Sequence, residues 1–228
     1  MIRKKRLNRL GTGLFTFISI FYVLPVVVVL FNSFKKKSYI NLEPFKLPNE
    51  TTFTGLDNYA TAINQYDFLK AVGWTVFITV GSVLVILICT SMCAWFITRV
   101  RTRVTKAIYI LCVFSMVVPF QMVMFTLSLV TDRLGLGTPW GLIIIYLGFG
   151  AGLAVFMFCG FVKSIPIEIE EAAMIDGCSP IRTFFSVVLP IMKPTYISVG
   201  ILETMWIWND FLLPYLTLDI KKYKTISI

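Results

Sequence analysis

Two groups of carboxylates concentrate the reactive side chains of this 228-residue chain. Glu168, Glu170, Glu171 and Asp176 crowd into one polar loop. Glu203 and Asp210 stand in an otherwise apolar stretch that also holds Trp206, Trp208 and Asn209. Carboxylates in pairs can move protons, but the chain contains no histidine, so the commonest general base and the commonest metal ligand are both missing. Cys89, Cys93, Cys112, Cys159 and Cys178 form no C-x-x-C pair and read as unpaired packing or surface residues. No G-x-x-x-x-G-K-S/T phosphate loop occurs, so no nucleotide site of that kind is expected. The chain is expected to hold no cofactor and no metal, and to catalyse nothing. A polytopic membrane enzyme such as a lipid-modifying transferase would need an interfacial cluster of His, Asp, Glu or Cys.

The elements that must position these residues are apolar. The composition is 57% hydrophobic with a mean hydropathy of +0.81, above the share of about 45–50% usual for a soluble domain. Leu10–Phe34, Ala71–Thr98, Ala107–Thr131 and Leu134–Val162 carry no Asp, Glu, Lys or Arg, and each exceeds the roughly 20 helical residues that cross a hydrocarbon core. A fifth run, Pro194–Leu218, is interrupted by Glu203 and Asp210. The expected architecture is an all-α polytopic membrane domain over the whole chain, with spans at about 11–34, 71–98, 107–131, 138–162 and 194–218. A charge at the bilayer centre costs at least about 2.5–3.5 kcal/mol, so Glu203 and Asp210 should face protein or water. Counted from Pro194, Asp210 lies about 24 Å along the helix, toward the outer side.

The net charge of +9 does not point to nucleic acid, because the cations flank apolar runs rather than mixing with stacking aromatics on a polar surface. With the N-terminus inside, the basic cluster Arg3, Lys4, Lys5, Arg6 and Arg9 and the loop Arg99–Lys106 face the cytoplasm, as the positive-inside rule favours. The first run is too long for a cleaved signal core and reads as a retained span that Pro25 bends. Residues 35–70, with Pro44, Pro48 and Gly55, read as an external loop or small cap. Gly148-x-x-x-Gly152 is a packing motif for close helix approach.

The loop 163–190 is the most specific segment. Ser164–Ile175 favours a short helix with Pro166 and acids in its first turn. Asp176-Gly177 stops it, Ser179-Pro180 caps and starts a second helix, and Leu189-Pro190 closes that one. Gly177 allows a turn with positive φ. The pattern Glu171-Ala172-Ala173, Gly177 and Val187-x-Leu189-Pro190 resembles the EAA loop of ATP-binding-cassette (ABC) importer permeases, with Val187 where isoleucine is usual. Gly55-Leu56-Asp57-Asn58-Tyr59, Leu134-Gly135-Leu136 and Trp208-Asn209-Asp210-Phe211-Leu212-Leu213-Pro214 are similar to the carbohydrate-importing, MalG-like branch.

The resemblance implies a permease subunit of the bacterial cytoplasmic membrane that translocates a sugar by alternating access. ATP would be used by separate ABC ATPase subunits, into which a coupling loop carrying Glu171, Ala172, Ala173, Asp176, Gly177, Leu189 and Pro190 inserts. It further implies a second homologous permease and an extracytoplasmic solute-binding protein as partners, the latter contacting residues 35–70 and 131–139. Glu203, Trp206, Trp208, Asn209 and Asp210 become candidates for the sugar path. The family carries one more span, so a sixth is expected beyond Ile228, the chain ending short of it. An ion-coupled secondary transporter, with Glu203 as its coupling group, is the alternative.

Overall fold

The computed structural model describes residues 2–65 and 67–228, with side chains from Gly11 onward. The side chains of the basic cluster Arg3, Lys4, Lys5, Arg6 and Arg9 lie outside the described residues. Helices make up 76% of the chain, and among the described residues there is no strand, so the all-α expectation holds. The chain divides into residues 1–69 and 70–228.

In the first unit, α1 (Ile2–Asn32) runs through Pro25, and its apolar side chains from Leu14 to Leu30 stand exposed. No water-facing helix tolerates such a surface, so lipid or protein must cover it. Residues 33–65 fold back on themselves around two short helices, α2 (Lys37–Leu42) and α3 (Asp57–Gln65). Buried Lys35 gives its ammonium to the Glu43 carbonyl at 2.8 Å. The Asn58 amide donates to the Ser33 and Lys35 carbonyls, both at 2.7 Å. Phe34 packs on Phe53 and Tyr59.

The second unit is built on α4 (Phe68–Arg99) and α7 (Pro139–Val162). Long uncharged sequence lets both close their backbone hydrogen bonds internally, as a membrane demands. One face of α4 is a seam of small polar residues, Thr75, Thr79, Ser82, Thr90, Ser91 and Thr98, all buried. Thr75, Thr90 and Thr98 satisfy their hydroxyls on the carbonyl four residues back, which lets helices approach there, while the Thr79 and Ser82 hydroxyls are buried without a partner. The core gathers Ile86, Tyr146, Phe158, Phe184 and Val199.

Two expected spans differ in form. Residues 107–131 are not one helix but α5 (Arg103–Ser115) and α6 (Phe120–Arg133), bent by 103°. Pro119 has no N–H to extend α5 and takes an extended ψ of 136°, so the chain turns there and re-enters a new helix. Hydropathy registers the length of this run and is blind to its change of direction. The fifth run becomes α10 (Lys193–Asn209), a break at Asp210, and α11 (Leu212–Thr217). Among the described residues, three helices are long and apolar enough to cross a membrane, or up to five spans if each bent pair, residues 103–133 and 180–209, is one span. α5 and α10 pack on α7, and α11 on α6. Gly152 makes the α5–α7 crossing close: a Cβ there would sit 2.7 Å from the Cys112 carbonyl oxygen. Gly148, the other half of the packing motif, has nothing within 4 Å of its would-be Cβ.

Candidate functional site

The polar loop after α7 folds as a knuckle of α8 (Ile167–Ile175) and α9 (Pro180–Ile191). Pro166 is the cap of α8 rather than a first-turn residue. The turn is a Schellman motif: Cys178 N–H donates to the Ala173 carbonyl and Gly177 N–H to the Met174 carbonyl, both at 3.0 Å. Gly177 has a φ of +85°, the left-handed conformation this motif needs and side chains resist. Ser179 then caps α9, its hydroxyl accepting from Arg182 N–H at 3.4 Å, with Pro180 in the first turn. α9 ends at Ile191, where the chain bends by 78° into α10, so the helix closes as expected, one residue past Pro190. The missing N–H of Pro190 and its ring against the preceding turn are accommodated by a π-helical turn, Phe184–Val188, and the helix continues to Ile191. A wide turn of this kind is a recognised way to absorb a residue that the α ladder rejects. Leu189 and Pro190 therefore lie in the last turn of the second limb.

What fixes the knuckle to the membrane helices was not singled out from sequence. Glu170 is 2% exposed. Its carboxylate accepts from Arg99 Nη2 at 2.7 Å and Nε at 3.0 Å, and from Trp95 Nε1 at 2.9 Å. Arg99 Nη2 also donates to the Ile165 carbonyl at 2.9 Å, tying the entry of the loop to the same clasp. The Trp95 ring packs on Phe184 at 5.5 Å, so the last turn of α4 grips α8 by charge and α9 by packing. Trp95 and Arg99, four apart on one helical face, were the available signal. The neighbouring acids gave none, since Glu168, Glu170 and Glu171 differ only in which way the helix turns them. Glu171, Ala172, Asp176 and Gly177 are exposed and Ala173 half-buried. Beside them Met174, Ile175 at 86% and Ile181 are uncovered. The tip thus presents an apolar and acidic surface on a braced support.

The second candidate set lies along α10. Thr195, Val199, Glu203 and Ile207 form its buried stripe, and Glu203, 2% exposed, leaves Oε2 without a hydrogen-bond partner. Gly150 of α7 makes room for it, since a Cβ there would meet Oε2 at 2.9 Å. Asp210 is a joint rather than a free group. Oδ2 accepts from the Tyr146 hydroxyl at 3.0 Å, and Oδ1 accepts from Leu212 and Leu213 N–H at 3.0 and 3.3 Å, capping α11. Trp206 stands edge-on to Tyr146 at 5.5 Å. Asn209 turns its amide back to the Met205 carbonyl, and Trp208 projects about 140° around the helix from Glu203. The structure therefore brings Trp206 and Asp210 together around Tyr146, a residue sequence reasoning missed, and leaves Trp208 and Asn209 on the exposed surface.

Residues 86–223 match the family model described as the binding-protein-dependent transport system inner membrane component. Over 227 residues the chain is 38% identical to a probable starch degradation products transport system permease of Thermoanaerobacterium thermosulfurigenes, covering 100% of this chain and 80% of the relative. A multiple sugar-binding transport system permease of Streptococcus mutans is 35% identical, with 88% and 72% covered. A diacetylchitobiose uptake system permease of Streptomyces coelicolor is 30% identical, with 92% and 69% covered. The fold is similar to that of a bacterial ABC transporter involved in alginate import, with a TM-score of 0.74, 20% identity, and 94% of this chain and 75% of that one covered.

Proposed function

For a chain that belongs to the family of binding-protein-dependent transport system inner membrane components, we propose the role of permease subunit in an ATP-driven sugar importer. The cargo is an oligosaccharide, in keeping with relatives whose names specify starch degradation products, multiple sugars and diacetylchitobiose. The braced knuckle carries the mechanistic part of this reading. A rigid two-helix element clamped to α4 by Glu170, Arg99 and Trp95 passes a push on its tip into the membrane helices as rigid-body motion, whereas a pliant loop would absorb it. The exposed tip of Glu171, Ala172, Met174, Ile175 and Gly177 then docks in a cleft of a separate ATPase subunit, which binds and hydrolyses the ATP. A second permease completes the path, which opens alternately to either side. An external binding protein delivers the sugar to the face opposite the knuckle. The N-terminus and knuckle are cytoplasmic.

Uptake of labelled maltooligosaccharide into vesicles holding the assembled transporter tests this: it should require internal ATP and survive collapse of ion gradients. Uptake that persists without ATP and stops with an ionophore would overturn it. That result would favour an ion-coupled carrier, for which the unpartnered, buried Glu203 carboxylate is the supporting observation.

A further inference from the structure

A basic cavity of about 540 Å³ opens where α4 ends, α5 begins and α7 ends. Arg101, Arg103, Lys106 and Lys163 line it, with the hydroxyls of Thr102 and Tyr109 between them. Among the described residues, no Asp or Glu stands within ion-pairing reach of these four cations. The Lys163 ammonium instead lies 5.9 Å from the Tyr109 ring centre. α5 starts at this cavity with no acid in its first turn. The positive end of its dipole therefore adds to four like charges, and an anion would relieve both.

The surface beside the cavity is apolar. Ile110 and Phe114, 54% and 60% exposed, follow Lys106 by one and two turns on α5, and Phe96 and Val100 are uncovered at the end of α4. Cations at the mouth with an apolar strip running into the bilayer match the two halves of a phospholipid. A soluble phosphate would use only the first half. α7 runs directly from this cavity into the knuckle, so the cavity lies on the cytoplasmic side, where the leaflet is anionic.

We infer that this cavity holds the phosphate of an anionic phospholipid of the inner leaflet, its acyl chain lying against Ile110 and Phe114. The lipid fills the gap between α4, α5 and α7 at the foot of the knuckle and neutralises the cations that would otherwise repel one another there. This rests on the cytoplasmic placement of the knuckle proposed above and is independent of which cargo is carried.

The test is native mass spectrometry of the full-length chain with phosphatidylglycerol, phosphatidylcholine or inorganic phosphate as the probe. Phosphatidylglycerol should be retained in preference to phosphatidylcholine. The pairs Arg101→Gln with Lys163→Gln and Arg103→Gln with Lys106→Gln should each weaken its binding, by about fivefold for every cation removed. Lys221→Gln with Lys222→Gln, exposed cations elsewhere, should leave binding unchanged, and so serves as the control for general charge. Ile110→Gln should weaken phosphatidylglycerol without restoring preference for phosphatidylcholine. The single exposed change Arg103→Gln repeats the test should either pair fail to fold. Unchanged phosphatidylglycerol binding in the cavity variants would overturn the inference. So would its displacement by excess inorganic phosphate, which would mark a free-anion site. Loss of a co-purifying ATPase subunit with lipid binding intact would likewise overturn it and mark a protein contact.

Discussion

Removing the Glu170 carboxylate should loosen the knuckle more than any change at its visible tip. Glu170→Ala deletes four hydrogen bonds from Arg99 and Trp95 and leaves the Arg99 guanidinium, 16% exposed in its side chain, facing an empty site. Breaking a buried pair from one side costs about 3–5 kcal/mol. The lower end applies here, because Arg99 keeps its bond to the Ile165 carbonyl and part of its hydration, so the expected loss is about 3 kcal/mol. Arg99→Ala should lose more, since it strands a carboxylate that is 2% exposed. Glu170→Gln, which preserves shape and one acceptor, should lose about 1–2 kcal/mol. The assay is unfolding in mixed detergent micelles as a double-mutant cycle. The double variant should lose at least about 1.5 kcal/mol less than the sum of the singles, the mark of groups in direct contact. Single losses under about 0.5 kcal/mol, or additive ones, would refute the clasp.

Gly152→Ala should destabilise by about 1–3 kcal/mol through overpacking, because the new methyl meets the Cys112 carbonyl, part of the α5 backbone, while Gly148→Ala should be nearly neutral; micelle unfolding of the two variants separates them. Asp210→Ala should lose about 1–2 kcal/mol through the lost cap and the stranded Tyr146 hydroxyl, and Asp210→Asn, which can still accept from the Leu212 and Leu213 amides, under about half of that; equal losses in the same unfolding assay would contradict the capping role.

The parts legible in the sequence were those dictated by local chemistry. Gly177 stood where positive φ was needed, and Ser179-Pro180 announced a cap that the structure supplies. Uncharged length likewise pointed to α4 and α7, both of them helices long and apolar enough to cross a membrane. The illegible parts depend on direction and on distant partners. A continuous apolar run concealed the 103° bend at Pro119, because apolar character says nothing about which way a helix points. The closing turn at Leu189-Pro190 was legible, but the π turn that precedes it was not. Glu170 and Glu171 are adjacent acids with opposite environments, and only the fold of α8 against α4 tells them apart. Asp210 looked like a path residue because a carboxylate within apolar sequence is costly. Its partners, Tyr146 and the first turn of α11, show a structural use for the same charge.

The knuckle tip is proposed to dock a separate ATPase. The most direct test is affinity co-purification of the tagged full-length chain from its native membrane, comparing the natural loop with Gly177→Trp and Glu171→Lys. Glu171 is exposed, so its change alters the tip surface alone, whereas Gly177→Trp meets open space but strains the turn at φ +85° and so disturbs the shape of the tip as well. An ATPase subunit should accompany the natural chain and be lost from both variants while a second permease is retained. An ATPase that stays bound to both variants would contradict the docking role.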